Sequence, residues 1–327
     1  MKILLAVDGS DASMSAVAAT AAMATPQGTT IEVVSVVPDT FAPEGAVWPN
    51  VIRVDPPSDR DRVLDDVARR LLDIADRLRT GDRDVSVQVL EGRPASEIVA
   101  EATRIGADLI VLGARGLSTV RRILVGSVSS EVVDHAPCAV LVARREGLGR
   151  VLWATDGSPD ALHVSDFFEG TGLFRDAAIR VISVPDAGIH WWAGVAPVDG
   201  AMSIDLYADA LALAEHRATA LAADGAEALT GNPVTAAMVQ PTGDIASTIL
   251  REAGTWKADV VAVGARSMGT VQRWLIGSVS RAVLHHAEMS VLIVRPGVRA
   301  LTRSLEEAVA TNVVLVATAS MMPVCPS

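Results

Sequence analysis

The chain writes one stretch twice. Residues 113–129 read GARGLSTVRRILVGSVS and residues 264–280 read GARSMGTVQRWLIGSVS, 151 positions apart. Each copy follows an apolar run headed by Asp, ADLIVL or ADVVAV, and leads toward a second run, CAVLVA or SVLIV. Such a duplication implies two copies of one folding unit. Each copy would carry a glycine-rich turn between a strand and a helix, where an α/β sheet can hold a phosphate.

The repeat extends to both halves of the chain. KILLAV and RVLWAT open them, and each ends in Asp-Gly-Ser, Asp8 to Ser10 and Asp156 to Ser158. Ser10 suits the N-cap of the Ala-rich segment behind it, and Pro159 suits a first helical turn. TIEVVSVV and AIRVISV read as second strands, VSVQVL and VTAAMV as third strands. Between them Val63, Val67, Leu71, Ile74 and Leu78 recur at helical spacing, as a helix covering a sheet requires.

Five strands alternate with four helices in each half. Alternation with right-handed crossovers predicts an α/β fold of two tandem doubly wound five-stranded parallel sheets, strand order 3-2-1-4-5. Ligands in such sheets bind outside the carboxyl ends of the strands where the order reverses, here between strands one and four. That point brings Asp8 to Gly113. The domains are expected at residues 1–148 and 149–297, and residues 298–327 form an extension that matches neither half. A docked helix and strand and a loosely attached terminus are both open for it.

Composition narrows the partners. Half of the 327 residues are apolar but only 3% aromatic, so the core must be built from Val, Ile, Leu and Ala, as in buried parallel strands. A net charge of −11 without a basic stripe argues against nucleic acid. No apolar run approaches the ~20 residues of a membrane helix. Met1 runs directly into the first strand with no leader, so a reducing cytoplasm is expected. Cys138 opens an apolar strand and reads as a buried reduced thiol. The six histidines show no metal spacing.

The glycine constellation is Gly113, Gly116 and Gly126-Ser127. Gly113 and Gly116 are expected to supply positive φ and to let a ligand approach where a Cβ would block it. Gly126 and Ser127 would open a helix whose free N–H groups attract anions. The hydroxyls of Ser127 and Ser129, and the cations Arg115, Arg121 and Arg122, would assist. No lysine makes this a Walker A loop, and the spacing is not that of a dinucleotide fingerprint.

The spacing G-x2-G-x9-G-S behind DLIVLG, together with KILLAVDGS at the start, resembles the universal stress proteins in their tandem two-domain form, over about residues 1–296. The resemblance implies an adenine-nucleotide α-hydrolase-like fold with ATP and Mg2+ as ligands. It implies that Asp8 faces the nucleoside and that Val36 meets the adenine through its backbone. Gly113, Gly116, Gly126, Ser127, Val128 and Ser129 would surround the phosphates. Asp156, Val184, Gly264, Gly277, Ser278, Val279 and Ser280 stand at the matching places of the second half.

There, however, Ser267 replaces the middle glycine, Gly269 lies two residues on, and Trp274 replaces Ile123. A side chain at 267 costs little at negative φ and on the order of 1 kcal/mol at positive φ. Relatives pair through their fifth strands, so the two halves are expected to pair within the chain, with a homodimer also open. The implied function is an ATP-binding regulator of the stress response that acts on an unidentified protein partner. The alternatives are a nucleotide-free interaction module and an α-hydrolase-type enzyme. The enzyme would need pyrophosphatase-loop residues that AspGlySerAspAlaSer lacks, and no general base is evident for a water at the γ-phosphate.

Overall fold

The computed structural model describes residues 1–38, 57–114, 125–186, 204–267 and 274–295. Gly116, Arg115, Arg121, Arg122, Gly269, the three loop tryptophans Trp48, Trp191 and Trp192, and the extension with Cys325 lie outside the described residues.

The first half runs β1 (Lys2–Ala6), α1 (Asp11–Ala22), β2 (Thr30–Val37), α2 (Pro57–Leu78), β3 (Asp84–Glu91), α3 (Pro94–Ile105), β4 (Leu109–Gly113), α4 (Ser127–His135) and β5 (Ala139–Ala143). The second half repeats it as β6 (Arg150–Ala154), α5 (Pro159–Thr171), β7 (Ala178–Ser183), α6 (Ile204–Glu227), β8 (Val234–Met238), α7 (Ile245–Thr255), β9 (Val260–Gly264), α8 (Ser278–His286) and β12 (Ser290–Val294). Between β9 and α8 lies a short antiparallel pair, β10 (Arg266–Ser267) and β11 (Trp274–Leu275). The sequence pattern did not predict that pair.

Each half has the expected order, but the two arrays share one sheet, β3-β2-β1-β4-β5-β12-β9-β6-β7-β8. Strands are parallel within each half, and the seam between β5 and β12 is antiparallel, with Leu141 opposite Leu292 and Val140 opposite Ile293. Both seam strands are buried along their whole length. An apolar strand of this kind left at an edge would template aggregation, and pairing removes both edges together.

Alternation along the strands divides the core into two layers. Ile3 and Leu5 of β1 join Val17, Leu71, Ile74 and Leu78 on one face, the side of α1 and α2. Leu4 and Ala6 join Ile98, Ala102, Val132 and Val133 on the other, beneath α3 and α4. The predicted stripe of α2 is thus its core face. Two aspartates fix the strand starts in the same way in each half. Asp108 accepts from the Lys2 amide at 2.7 Å, and Asp259 accepts from the Arg150 amide at 2.9 Å. Cys138 is buried, and burial pushes its thiol up to about 12.

Reciprocal arginines lock the seam. Arg144 donates to the Leu284 carbonyl at 2.6 Å at the end of α8. Arg295, 151 positions later, donates to the carbonyls of Val133 and, at 2.9 Å, Ala136 at the end of α4. These bonds satisfy helix-terminal carbonyls that have no partner within the helix. Arg295 is only 3% exposed, and burial lowers its guanidinium to about 10, which leaves it charged at neutral pH. Arg281 adds an ion pair to Asp134 at 2.8 Å.

Arg295→Met, which strands buried carbonyls, is expected to lower the unfolding free energy by about 2–3 kcal/mol. Arg281→Ala, at a half-exposed pair, should cost less than about 1 kcal/mol. Urea denaturation of the two variants checks the ranking.

Candidate functional site

A cleft of about 410 Å³ opens at the carboxyl ends of β1, β2 and β4, where the strand order reverses. Of the residues expected around a ligand, Asp8, Val36, Gly113, Gly126, Ser127, Val128 and Ser129 all line it. The sequence reading missed Val34, Pro94, Ile98 and Leu112, which also line it. The signal for Val34 was present, because the two-residue period of β2 puts it on the face of Val36.

The cleft has two chemically distinct ends. Val34, Val36, Ile98 and Leu112 make one end apolar. The other end is the start of α4, where Gly126 is the N-cap and the first ladder bond runs from the Ser130 amide to the Gly126 carbonyl at 2.9 Å. The amides of Ser127, Val128 and Ser129 precede that ladder, so they present N–H groups and the positive end of the helix dipole to an anion.

The Asp-Gly-Ser turn shapes the floor. Gly9 has φ +77° and Gly157 +72°, a left-handed backbone that lets the chain turn from strand into helix. Asp8 Oδ1 accepts from the Ser10 amide at 3.0 Å and its hydroxyl at 2.6 Å, and Ser10 Oγ in turn accepts from the Ser13 amide at 3.2 Å as the cap of α1. In the second half Asp156 accepts from the Ser158 amide at 3.0 Å, and Ser158 caps α5 ahead of Pro159.

Gly113 serves a different purpose from the one expected. Its φ is not in the left-handed region, and a Cβ there would lie 2.5 Å from the Ala12 carbonyl carbon and oxygen. The glycine admits the first turn of α1 against the end of β4. Gly264 does the same against the Asp160 carbonyl, also at 2.5 Å. The hydroxyl of Ser129 donates to the Gly113 carbonyl at 2.7 Å and that of Ser280 to Gly264 at 2.8 Å, tying the strand end to the following helix. That bond uses the Ser129 proton, so the contribution of this residue to a ligand reduces to its amide and the oxygen's lone pairs.

Ser267 is extended, in β10 opposite Trp274, and the positive φ that would have strained it is absent. Gly277 caps α8 at φ −63°, as Gly126 caps α4 at −64°, with Ser278 and Val279 in its first turn. Val184, the residue after the end of β7, packs against the same buried cluster as Val36. Among the described residues no three His, Cys, Asp or Glu side chains come together to hold a metal ion. No helix among them is long and apolar enough to cross a membrane.

Beneath the apolar end, on the face of β2 that carries Val34 and Val36, Glu32 meets Glu101 and Arg104 of α3. Arg104 Nε donates to both Glu101 oxygens at 2.9 Å and its Nη2 lies 3.6 Å from Glu32. The Arg104 bonds hold Glu101 below the usual carboxylate range. Burial, and next the Glu101 carboxyl, raise Glu32 from 4.5 to about 7. At the matching place in the second half the acid is replaced, and Arg180 pairs with Glu252 at 2.8 Å.

A fold of paired doubly wound arrays with an anion-ready helix start at the switch point defines a class, the tandem doubly wound α/β proteins. The comparisons narrow it. The model of the universal stress protein family matches residues 1–144 and again 147–295, and the chain belongs to that family. A Staphylococcus aureus protein named for the same family is 49% identical over 69 residues, 21% of this chain and 42% of that protein's length. A solved universal stress protein from Archaeoglobus fulgidus has a TM-score of 0.60 at 22% identity, covering 90% of this chain and 98% of that one. One from Pseudomonas aeruginosa has a TM-score of 0.54 at 17% identity, covering 90% and 92%. At these identities the two structures speak to the fold.

Gly113→Ala is expected to cost about 1–3 kcal/mol of stability through overpacking against Ala12, measured by urea denaturation without nucleotide. A second expectation concerns pH. A raised carboxyl contributes stability that is full below its unfolded value of 4.5 and lost as pH climbs through about 7. Glu101 has the opposite sign and loses its contribution as pH falls. Glu32→Gln isolates the first effect, so the variant should gain stability over wild type between about pH 5 and about pH 8. A difference that stays constant across that range would refute it.

Proposed function

We propose that the cleft of the first half binds ATP with Mg2+, and that the chain is a nucleotide-dependent regulator of the stress response. The observation that carries this is the division of the cleft, apolar along Val34, Val36 and Ile98 and amide-rich at Gly126, Ser127 and Val128. An adenine ring suits the first end, and a phosphate chain suits the second. Asp8 Oδ1 is occupied by Ser10, so Oδ2 would accept from the ribose hydroxyls. Gly116 is expected to complete the phosphate loop, and Mg2+ would be held by the phosphate oxygens, where it supplies charge neutralisation.

On this reading the matching positions of the second half, Asp156, Val184, Gly264, Gly277, Ser278, Val279 and Ser280, form a second, altered site. The domains are residues 1–148 and 149–297, with 298–327 as an extension. The protein works in the cytoplasm through a protein partner, and a homodimer is a further possible assembly. Among the described residues Asp8 is the one acidic side chain that lines the cleft.

Mass spectrometry under native conditions of protein purified without added nucleotide, followed by calorimetric titration with Mg-ATP, tests the reading. One tightly bound ATP per chain is expected. A hundredfold excess over Kd should stabilise the fold by about 2.7 kcal/mol. Asp8→Ala should weaken ATP about tenfold while leaving the far-ultraviolet spectrum unchanged. Finding neither bound ATP nor stabilisation by it would leave the nucleotide-free interaction module as the better description.

A further inference from the structure

We propose that Arg93 is a cation that meets the terminal phosphates of a nucleotide in the first cleft, and that Asp244, at the same place in the second half, turns that half away from polyphosphate ligands. This deepens the nucleotide reading above and rests on it.

Arg93 is the N-cap residue of α3, and its side chain makes no cap bond. The next residue, Pro94, lines the cleft together with Gly126 and Ser127. The Arg93 side chain, 73% exposed, reaches across to Glu131 of α4 at 3.1 Å. Glu131 lies one turn beyond Ser127, so the guanidinium stands beside the helix start that faces an anion. An exposed ion pair of this kind holds its partners only weakly. A terminal phosphate offers more charge and three oxygens to the same planar fork, and so makes the stronger partner. Arg93 would therefore exchange Glu131 for phosphate, and Glu131 parks the cation when the cleft is empty.

The second half inverts this charge on the same scaffold. Asp244, 151 positions after Arg93, is the N-cap of α7. Its carboxylate accepts from the Ser247 amide at 2.8 Å and hydroxyl at 2.9 Å, bonds that hold it well below the usual range and keep it charged. Ala282 replaces Glu131, and the neighbouring Arg281 is directed across the seam to Asp134. Asp186 stands four residues beyond Ile182, as Pro38 stands beyond Val34, and these two residues occupy the same sheet register. At the N-cap of α7 an anion approaching α8 thus meets a carboxylate, where at the N-cap of α3 one approaching α4 meets a guanidinium.

The experiment is calorimetric titration of the full chain with Mg-ATP and, separately, with adenosine. Wild type should bind one ATP tightly. Arg93→Asp, which writes the second half's residue into the first, should weaken ATP by about tenfold or more and leave adenosine unchanged. Arg93→Lys should retain most of the affinity, and Glu131→Gln should strengthen ATP a few-fold by releasing the cation. Asp244→Arg should raise the ATP count from one toward two.

Loss of ATP and adenosine affinity together in Arg93→Asp, or of neither, would overturn the role of Arg93. Two equal ATP sites in wild type, or no added ATP in Asp244→Arg, would overturn the role of Asp244. Wild type that binds adenosine but not ATP, or neither, would instead sink the nucleotide reading itself.

Discussion

The antiparallel pairing of β5 with β12 is the constraint on which the rest of the molecule depends. Each half supplies one strand that is apolar on both faces and would be an unprotected edge if the half stood alone. Joining the two edges buries both and builds one continuous ten-stranded sheet. The seam also finishes helices that belong to the opposite half, because Arg144 and Arg295 supply the donors that α8 and α4 lack at their ends. Breaking the seam would therefore uncover apolar strands and leave helix carbonyls without partners at the same time.

Because the seam is antiparallel while each half is parallel, the carboxyl ends of the two sets of strands lie at opposite margins of the sheet. The cleft of the first half and the matching region of the second consequently face away from each other. Among the described residues they are linked through the seam, where α4 of one half touches Arg281 and Arg295 of the other.

Much of this architecture was legible in the sequence, because the duplication checked itself. The alternation of strands with helices and the paired Asp-Gly-Ser turns each appear twice and formed as read, as did the stripe of α2. The cleft was legible for the same reason, since Asp8 and Gly113 end neighbouring strands in the predicted order. The role of Gly113 was not. A glycine required by close approach of another helix looks the same in sequence as one required by positive φ, and only the 2.5 Å distance to Ala12 separates them. Glu32 was missed because an acid within an apolar strand reads as an outward-facing position. Here it faces Glu101, and its burial depends on a helix some seventy residues away, beyond the reach of local pattern. The β10–β11 pair is too short for any periodicity to reveal it.

The two halves agree closely in backbone and disagree in charge at chosen places. Glu32 matches Arg180, Asp134 matches His285, and Arg93 matches Asp244, all on elements that correspond in order. When two identical chains associate, a substitution enters both sites at once, and a change that suits one but harms the other is lost. Carrying both halves on a single chain removes that coupling. Each residue is inherited once, so one side of the seam can drift while the other keeps its chemistry. The two halves of one chain are thereby free to divide their labour.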